Sequence, residues 1–158
     1  MRKRLSTNIV SVAIIASCFL FSCGRDTVYN EFQSINDKAW SKQDEYFFNF
    51  EIKDNSIKYD ISIQLRNNDT YPYQNLWMFC NELQPSGISA KDTLEYMLAD
   101  DFGKWTGNGI TLFQSLIPLK SSYNFPDTGK YTISIRHGMR DDVLRGIENI
   151  GLIIEKSK

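Results

Sequence analysis

Cys23 is the residue whose position specifies chemistry most directly. It follows Ser22, behind a basic start of Arg2, Lys3 and Arg4 and an apolar stretch from Ile9 to Phe21. A positive start holds the head of the chain on the cytoplasmic side, and an apolar run of about 7–15 residues suits an export signal. A bilayer span needs about 20 apolar residues, more than this run supplies. Lipoprotein maturation needs a small residue before the cleaved bond and a thiol after it to carry diacylglycerol. Ser22 and Cys23 meet both requirements, although Phe21 is bulkier than the residue usual at that place. The expectation is a signal peptide over residues 1–22 and lipidation at Cys23. Several acyl chains on one cysteine hold a protein to a membrane firmly, since each buried methylene contributes about 0.8 kcal/mol.

Other reactive groups are sparse. His137 is the single histidine, at the end of an expected strand and in register with Tyr131, Ile133 and Ile135, which points it toward a core. Zinc requires three or four converging ligands, and no histidine pair or cysteine pair begins such a set. No serine lies on a Gly-x-Ser-x-Gly turn, so a hydrolytic triad has no nucleophile. Asp92/Glu95 and Asp100/Asp101 read as solvated or capping carboxylates, because acid/base hydrolysis needs two carboxylates facing each other across a cleft. Gly107-Asn108-Gly109 lacks the Gly-Lys-Ser/Thr of a phosphate-binding loop and reads as a turn. No catalytic residue, metal or cofactor is expected. With Cys18 removed and Cys23 lipidated, Cys80 has no partner and reads as a small buried side chain.

Removal of residues 1–22 leaves 136 residues, enough for one domain with a hydrophobic core. The remainder carries 15 basic and 19 acidic residues, a formal charge of −4. That balance argues against a nucleic-acid partner or a polybasic grip on lipid.

The elements that must position any site are strands. In Ile57 to Arg66 every odd residue is apolar and every even one polar, the period of a half-buried strand. Phe48, Phe50 and Ile52 show the same period before Asp54-Asn55, and the two segments are expected to form a hairpin. Further strands are expected at 75–82, 93–98, 110–118, 130–137 and 150–155, separated by Asn67-Asn68-Asp69, Pro85-Ser86-Gly87, Gly107-Asn108-Gly109 and Pro126 to Gly129. Residues 23–44 read as a lipidated tether in which Val28, Tyr29, Phe32, Ile35 and Trp40 are the available anchors. Arg140 to Ile147, opened by Asp141 or Asp142 and closed by Gly146, reads as one short helix. The expected fold is all-β: an antiparallel, jelly-roll-like β-sandwich over 45–158 with that helix near the C-terminus.

Aromatic residues are concentrated in the middle third. Tyr71, Tyr73, Trp77 and Trp105 form the candidate interaction surface, because rigid rings bury much area at low entropic cost. Such a surface suits an envelope protein partner; the alternative is a carbohydrate-binding sandwich that stacks sugar rings.

The ordered set Tyr59 to Asn67, Tyr71-Pro72-Tyr73-x-Asn75-Leu76-Trp77, Asp92-Thr93-Leu94-Glu95, Leu98-Ala99-Asp100, Gly103-Lys104-Trp105-x-Gly107-x-Gly109, Phe125-Pro126, Gly129-x-Tyr131, His137-x-Met139-Arg140 and Leu144-x-Gly146-Ile147 to Gly151 resembles the gliding-motility lipoprotein family GldH of Bacteroidetes. The resemblance runs from about Phe48 to Ile154 and includes the lipidated cysteine. It implies a lipoprotein of the outer membrane, partnered by envelope proteins of the gliding and type IX secretion machinery and without enzymatic residues. The polar Gly24-Arg25-Asp26-Thr27 has no acidic run of the kind that marks surface export in many Bacteroidetes lipoproteins, so the periplasmic face is expected. Within the shared stretches, Arg140 is expected to pair with Asp100 through two parallel hydrogen bonds.

Overall fold

The computed structural model describes residues 26–158, so the signal segment and Cys23 lie outside the described residues. Ten strands follow in order: β1 (Thr27–Ser34), β2 (Ala39–Ser41), β3 (Tyr46–Ile52), β4 (Tyr59–Asn68), β5 (Asn75–Leu83), β6 (Ser89–Met97), β7 (Leu112–Tyr123), β8 (Gly129–His137), β9 (Val143–Arg145) and β10 (Ile147–Lys156). One four-stranded sheet has the order β1-β10-β4-β7 and the other β3-β8-β5-β6, while β2 and β9 make a two-stranded ribbon. Every pairing is antiparallel. Followed along the chain, the eight long strands cross from one sheet to the other at every step except the β5–β6 hairpin, the interleaved order of a jelly roll.

Strand alternation builds the core between the sheets. Ile61, Ile63 and Leu65 of β4 lie beside Ile154, Leu152 and Ile150 of β10, and all six are fully buried. Phe48, Phe50 and Ile52 of β3, Leu76, Met78 and Cys80 of β5, and Tyr131, Ile133 and Ile135 of β8 fill the facing layer. Phe50 stacks on its cross-strand neighbour Tyr131 with the rings 10° apart, and Phe125 meets Phe50, Tyr59 and Tyr131 edge-on. Each such side chain contributes about 1.5–3 kcal/mol when fully buried.

A buried polar cluster joins the two sheets, in addition to the exposed Gln33 side chain of β1 donating to the Phe47 carbonyl of β3 at 2.8 Å. Lys120 of β7 donates to buried Glu82 of β5 at 2.7 Å, and the Tyr123 hydroxyl donates to the same carboxylate at 3.1 Å.

The structure departs from the sequence reading in several places. Residues 140–147 contain no helix: after a turn, Val143–Arg145 pair with Ala39–Ser41, which puts Trp40 opposite Leu144 with both at 0% exposure. A one-turn helix pays nucleation for few hydrogen bonds, whereas the ribbon buries two large apolar side chains. Segments β3 and β4 form no hairpin, because β3 pairs with β8 and β4 with β10 and β7. The connection 53–58 is a corner between sheets, and alternation on its two flanks is the same for a corner as for a hairpin. Thr27–Ser34, read as tether, is an edge strand on β10, with Ile35 and Trp40 in the core. A register shift between Thr27 and Tyr29 breaks the period that would have revealed it.

Candidate functional site

The Pro72 segment brings Tyr73 to the start of β5. The Asn68 side-chain oxygen accepts from the Thr70 backbone N–H at 2.9 Å and from its hydroxyl at 2.6 Å, which tightens the turn after β4. Tyr71 then enters the core, 3% exposed, and its hydroxyl donates to the Asn75 carbonyl at 2.8 Å. Two residues on, Tyr73 faces outward and donates to Asp141 Oδ2 at 2.6 Å, joining the approach to β5 with the turn after β8. That hydrogen bond to a carboxylate raises the Tyr73 phenol pKa above its ordinary value, so the hydroxyl stays protonated.

The neighbouring strands supply the rest. Beyond the Met78–His137 pair, the Gly138 N–H donates to the Trp77 carbonyl at 2.7 Å, and the Trp77 N–H donates to Met139 Sδ at 3.3 Å. A side chain at 138 would meet the Phe79 ring at 2.9 Å, so bare backbone here lets the strand end lie beside that ring. The result is a groove of about 410 Å³ lined by Tyr73, Asn75, Trp77, Gly138, Met139, Arg140 and Asp141. Trp77 is 39% exposed, and Phe79 continues the same outward face under the Arg136 guanidinium, 5.1 Å from its ring centre. The Arg140 carbonyl accepts from Lys42 Nζ at 3.2 Å, which fixes the backbone of the turn.

The four residues expected on the interaction surface therefore separate. Tyr73 and Trp77 share the groove. Tyr71 lies beneath, in edge contact with Tyr73 at an interplanar angle of 71°. Trp105 is half-buried on its far side, with Tyr71 and Phe113 as ring neighbours. Cys23 lies outside the described residues.

Arg140 and Asp100 make no ion pair; one Asp100 oxygen instead accepts from the backbone N–H groups of Phe102 and Lys104 at 3.0 and 2.9 Å. Among the described residues the Arg140 guanidinium has no carboxylate within 4.0 Å. The contributions of Gly138, Met139 and Asp141 were not legible as a site, because they depend on β8 lying next to β5. The loop between β6 and β7 also exposes Phe102 and Ile110 almost completely, at 97% and 91%.

His137 sits beneath the groove, 1% exposed, with its ring edge-on to Trp40 at 5.5 Å and no hydrogen-bond partner of good geometry at either nitrogen. Burial, and then the nearby Lys42 charge, lower its pKa. Burial, and then Asp92, raise the Cys80 thiol to about 12. No group of three or more His, Cys, Asp or Glu side chains converges as a metal site among the described residues. The groove sets the exposed Trp77 ring and the Tyr73 ring over the nearly buried Met139 thioether and beside Arg140, whose guanidinium has no carboxylate partner among the described residues, chemistry suited to non-covalent recognition.

A solved chain of the infectious bursal disease virus Gx strain covers 84% of this chain and 30% of its own length, at 14% identity and a TM-score of 0.30, a likeness too distant to carry an argument. The gliding motility lipoprotein GldH of Flavobacterium johnsoniae is 33% identical over 153 residues, covering 92% of this chain and 94% of the relative. The gliding motility lipoprotein GldH homolog of Christiangramia forsetii is 35% identical over 165 residues, covering 99% of both chains. The GldH lipoprotein family model matches residues 27–154, from the first residue of β1 to within two residues of the end of β10, so the two sheets, the ribbon and the groove all fall inside the match and the chain belongs to the GldH lipoprotein family.

Proposed function

We propose that the mature protein is held by lipidated Cys23 to the outer membrane, faces the periplasm, and acts as a non-enzymatic protein-binding component of the gliding motility apparatus. In this reading it supports gliding and the associated type IX secretion machinery by engaging another envelope protein. Support for the motility role comes from the names of the relatives, and support for the anchor from Ser22-Cys23 behind a basic and apolar segment.

The observation that carries the binding role is the groove of Tyr73, Trp77, Met139 and Arg140. Two rigid rings offer apolar contact at low entropic cost, with the Met139 thioether as a nearly buried floor. The guanidinium beside them, without a carboxylate of its own among the described residues, favours a partner segment that sets an acidic group next to an apolar side chain. A sugar platform would call for coplanar exposed rings, and Tyr71, the ring next to Tyr73, is buried and edge-on to it.

The test is complementation of a deletion strain. Trp77→Ala with Arg140→Ala should accumulate to the level of the unaltered protein yet fail to restore surface spreading. Leu116→Ala, exposed on the outer side of the opposite sheet, should restore it. Normal spreading and secretion with the groove variant would remove the reading.

A further inference from the structure

The point at which the chain enters the fold decides which end of the sandwich faces the anchor. Thr27 pairs with Glu155, Glu155 with Asp60, and Tyr59 with Tyr123, so the first residue of β1 lies where β4 begins and where β7 and β10 end. Connections 53–58 and 124–128 gather at this end, tied by Asn55 donating to the Pro126 carbonyl at 3.0 Å, and the β5–β6 turn joins them through the Leu83–Thr132 pair. The groove and the β6–β7 loop lie at the other end, past the ten residues of β4, about 30 Å away.

The anchor has little slack. Asp26 is fixed to the last strand by the Lys156 N–H donating to its carbonyl at 3.0 Å and by a 3.2 Å contact between Lys156 Nζ and its carboxylate. Gly24 and Arg25 alone separate it from Cys23, a reach of at most about 11 Å. The chemistry of the near end agrees. Ile88 is 61% exposed and Leu83 44%, and Lys53, Lys58, Lys130 and Lys158 are exposed at the same end. Asp54 and Asp127 are the acids of these loops, with the Asp54 carboxylate occupied by the Ser56 amide and hydroxyl, while Glu51 opposite Lys130 and the Lys156-paired Asp26 are also exposed at this end.

We propose that this end of the sandwich rests on the phospholipid headgroups of the anchoring membrane. Ile88 and Leu83 reach into the headgroup layer, the lysines meet phosphate oxygens, and the groove points away from the bilayer. Its occupant then approaches from the aqueous side, as a soluble protein or a domain standing clear of the membrane. The inference rests on lipidation of Cys23.

The experiment uses the full lipidated protein in vesicles of phosphatidylethanolamine and phosphatidylglycerol carrying a headgroup quencher. Single probes are attached at Ile88→Cys and at Phe102→Cys, both exposed positions, with native Cys80 buried. With about 30 Å between the two ends, quenching should be at least about threefold stronger at 88 than at 102. Lys53→Glu with Lys58→Glu should reduce the quenching at 88. Equal quenching, or stronger quenching at 102, in protein shown by mass to be acylated overturns the orientation and leaves the anchor standing. Protein that carries no acyl group and stays free of vesicles overturns both.

Discussion

Glu82→Gln removes one charge from the only ion pair that joins β5 to β7 among the described residues, and its cost can be worked from the geometry. Glu82 is 4% exposed and Lys120 18%, at 2.7 Å. Removal of one partner from a buried pair costs about 3–5 kcal/mol, because the other charge is left buried without its counter-charge. Lys120 keeps partial access to water, the Tyr123 ring at 4.2 Å and Asp92 at 3.9 Å, which places the cost at the low end, about 3 kcal/mol. For a domain of this size each kcal/mol moves the melting temperature by about 3–4 °C, so the variant should melt about 10 °C lower. Glu82→Met with Lys120→Met replaces both charges by apolar groups of similar length and should fall within about 1 kcal/mol of the unaltered protein. Urea denaturation of the soluble domain gives the stabilities of both singles and the double, and hence their coupling. A Glu82→Gln cost below about 1 kcal/mol, or a double variant that loses the sum of the singles, would refute the claim that this contact clasps the sheets.

Three further outcomes follow from burial and backbone geometry. His137 has a folded pKa below its unfolded value of about 6.5 because burial opposes its charge, so the unfolded chain binds more protons. Stability should therefore fall as pH drops from about 7 toward 5. Lys42 adds to that loss while Asp44 and Asp141 oppose it, and His137→Phe should flatten the slope in urea midpoints measured over this window; parallel profiles would contradict it. Gly146 holds φ at +86° and a Cβ there would sit 2.7 Å from Tyr71 Cα, so Gly146→Ala should cost at least about 2 kcal/mol in the same assay. An unchanged midpoint would contradict this reading of the turn. Cys80, 4% exposed and with its thiol pKa raised to about 12, should resist alkylation at pH 8 in the native protein and react within minutes in urea. Fast native labelling would show that β5 opens.

Period-two alternation made β3, β4 and β8 readable, because each turns one face to a core and one away from it. Where alternation is interrupted the reading failed: the shift in β1 disguised an edge strand, and the three residues of β9 are too few to show a period. Sequence neighbours also mislead about sheet neighbours, since β3 and β4 have the pattern of a hairpin while the chain turns a corner between sheets. The groove was legible in its rings and illegible in its assembly. Tyr73 and Trp77 stand out by type, but Met139 and Asp141 join them through the non-local β5–β8 pairing. The Arg140–Asp100 pairing expected from opposite charge is not made: Asp100 caps the amides of its own turn instead.

Site-specific photo-crosslinking in intact cells reads out whether a partner protein contacts the groove. A photoreactive phenylalanine analogue at Tyr73 or Trp77 should give a discrete adduct with an envelope protein, while the same analogue at Leu116, on the outer face of the opposite sheet, should give none. Adducts at Leu116 as strong as those at Tyr73 and Trp77, or no adduct at either groove position in cells that spread normally, would contradict that contact.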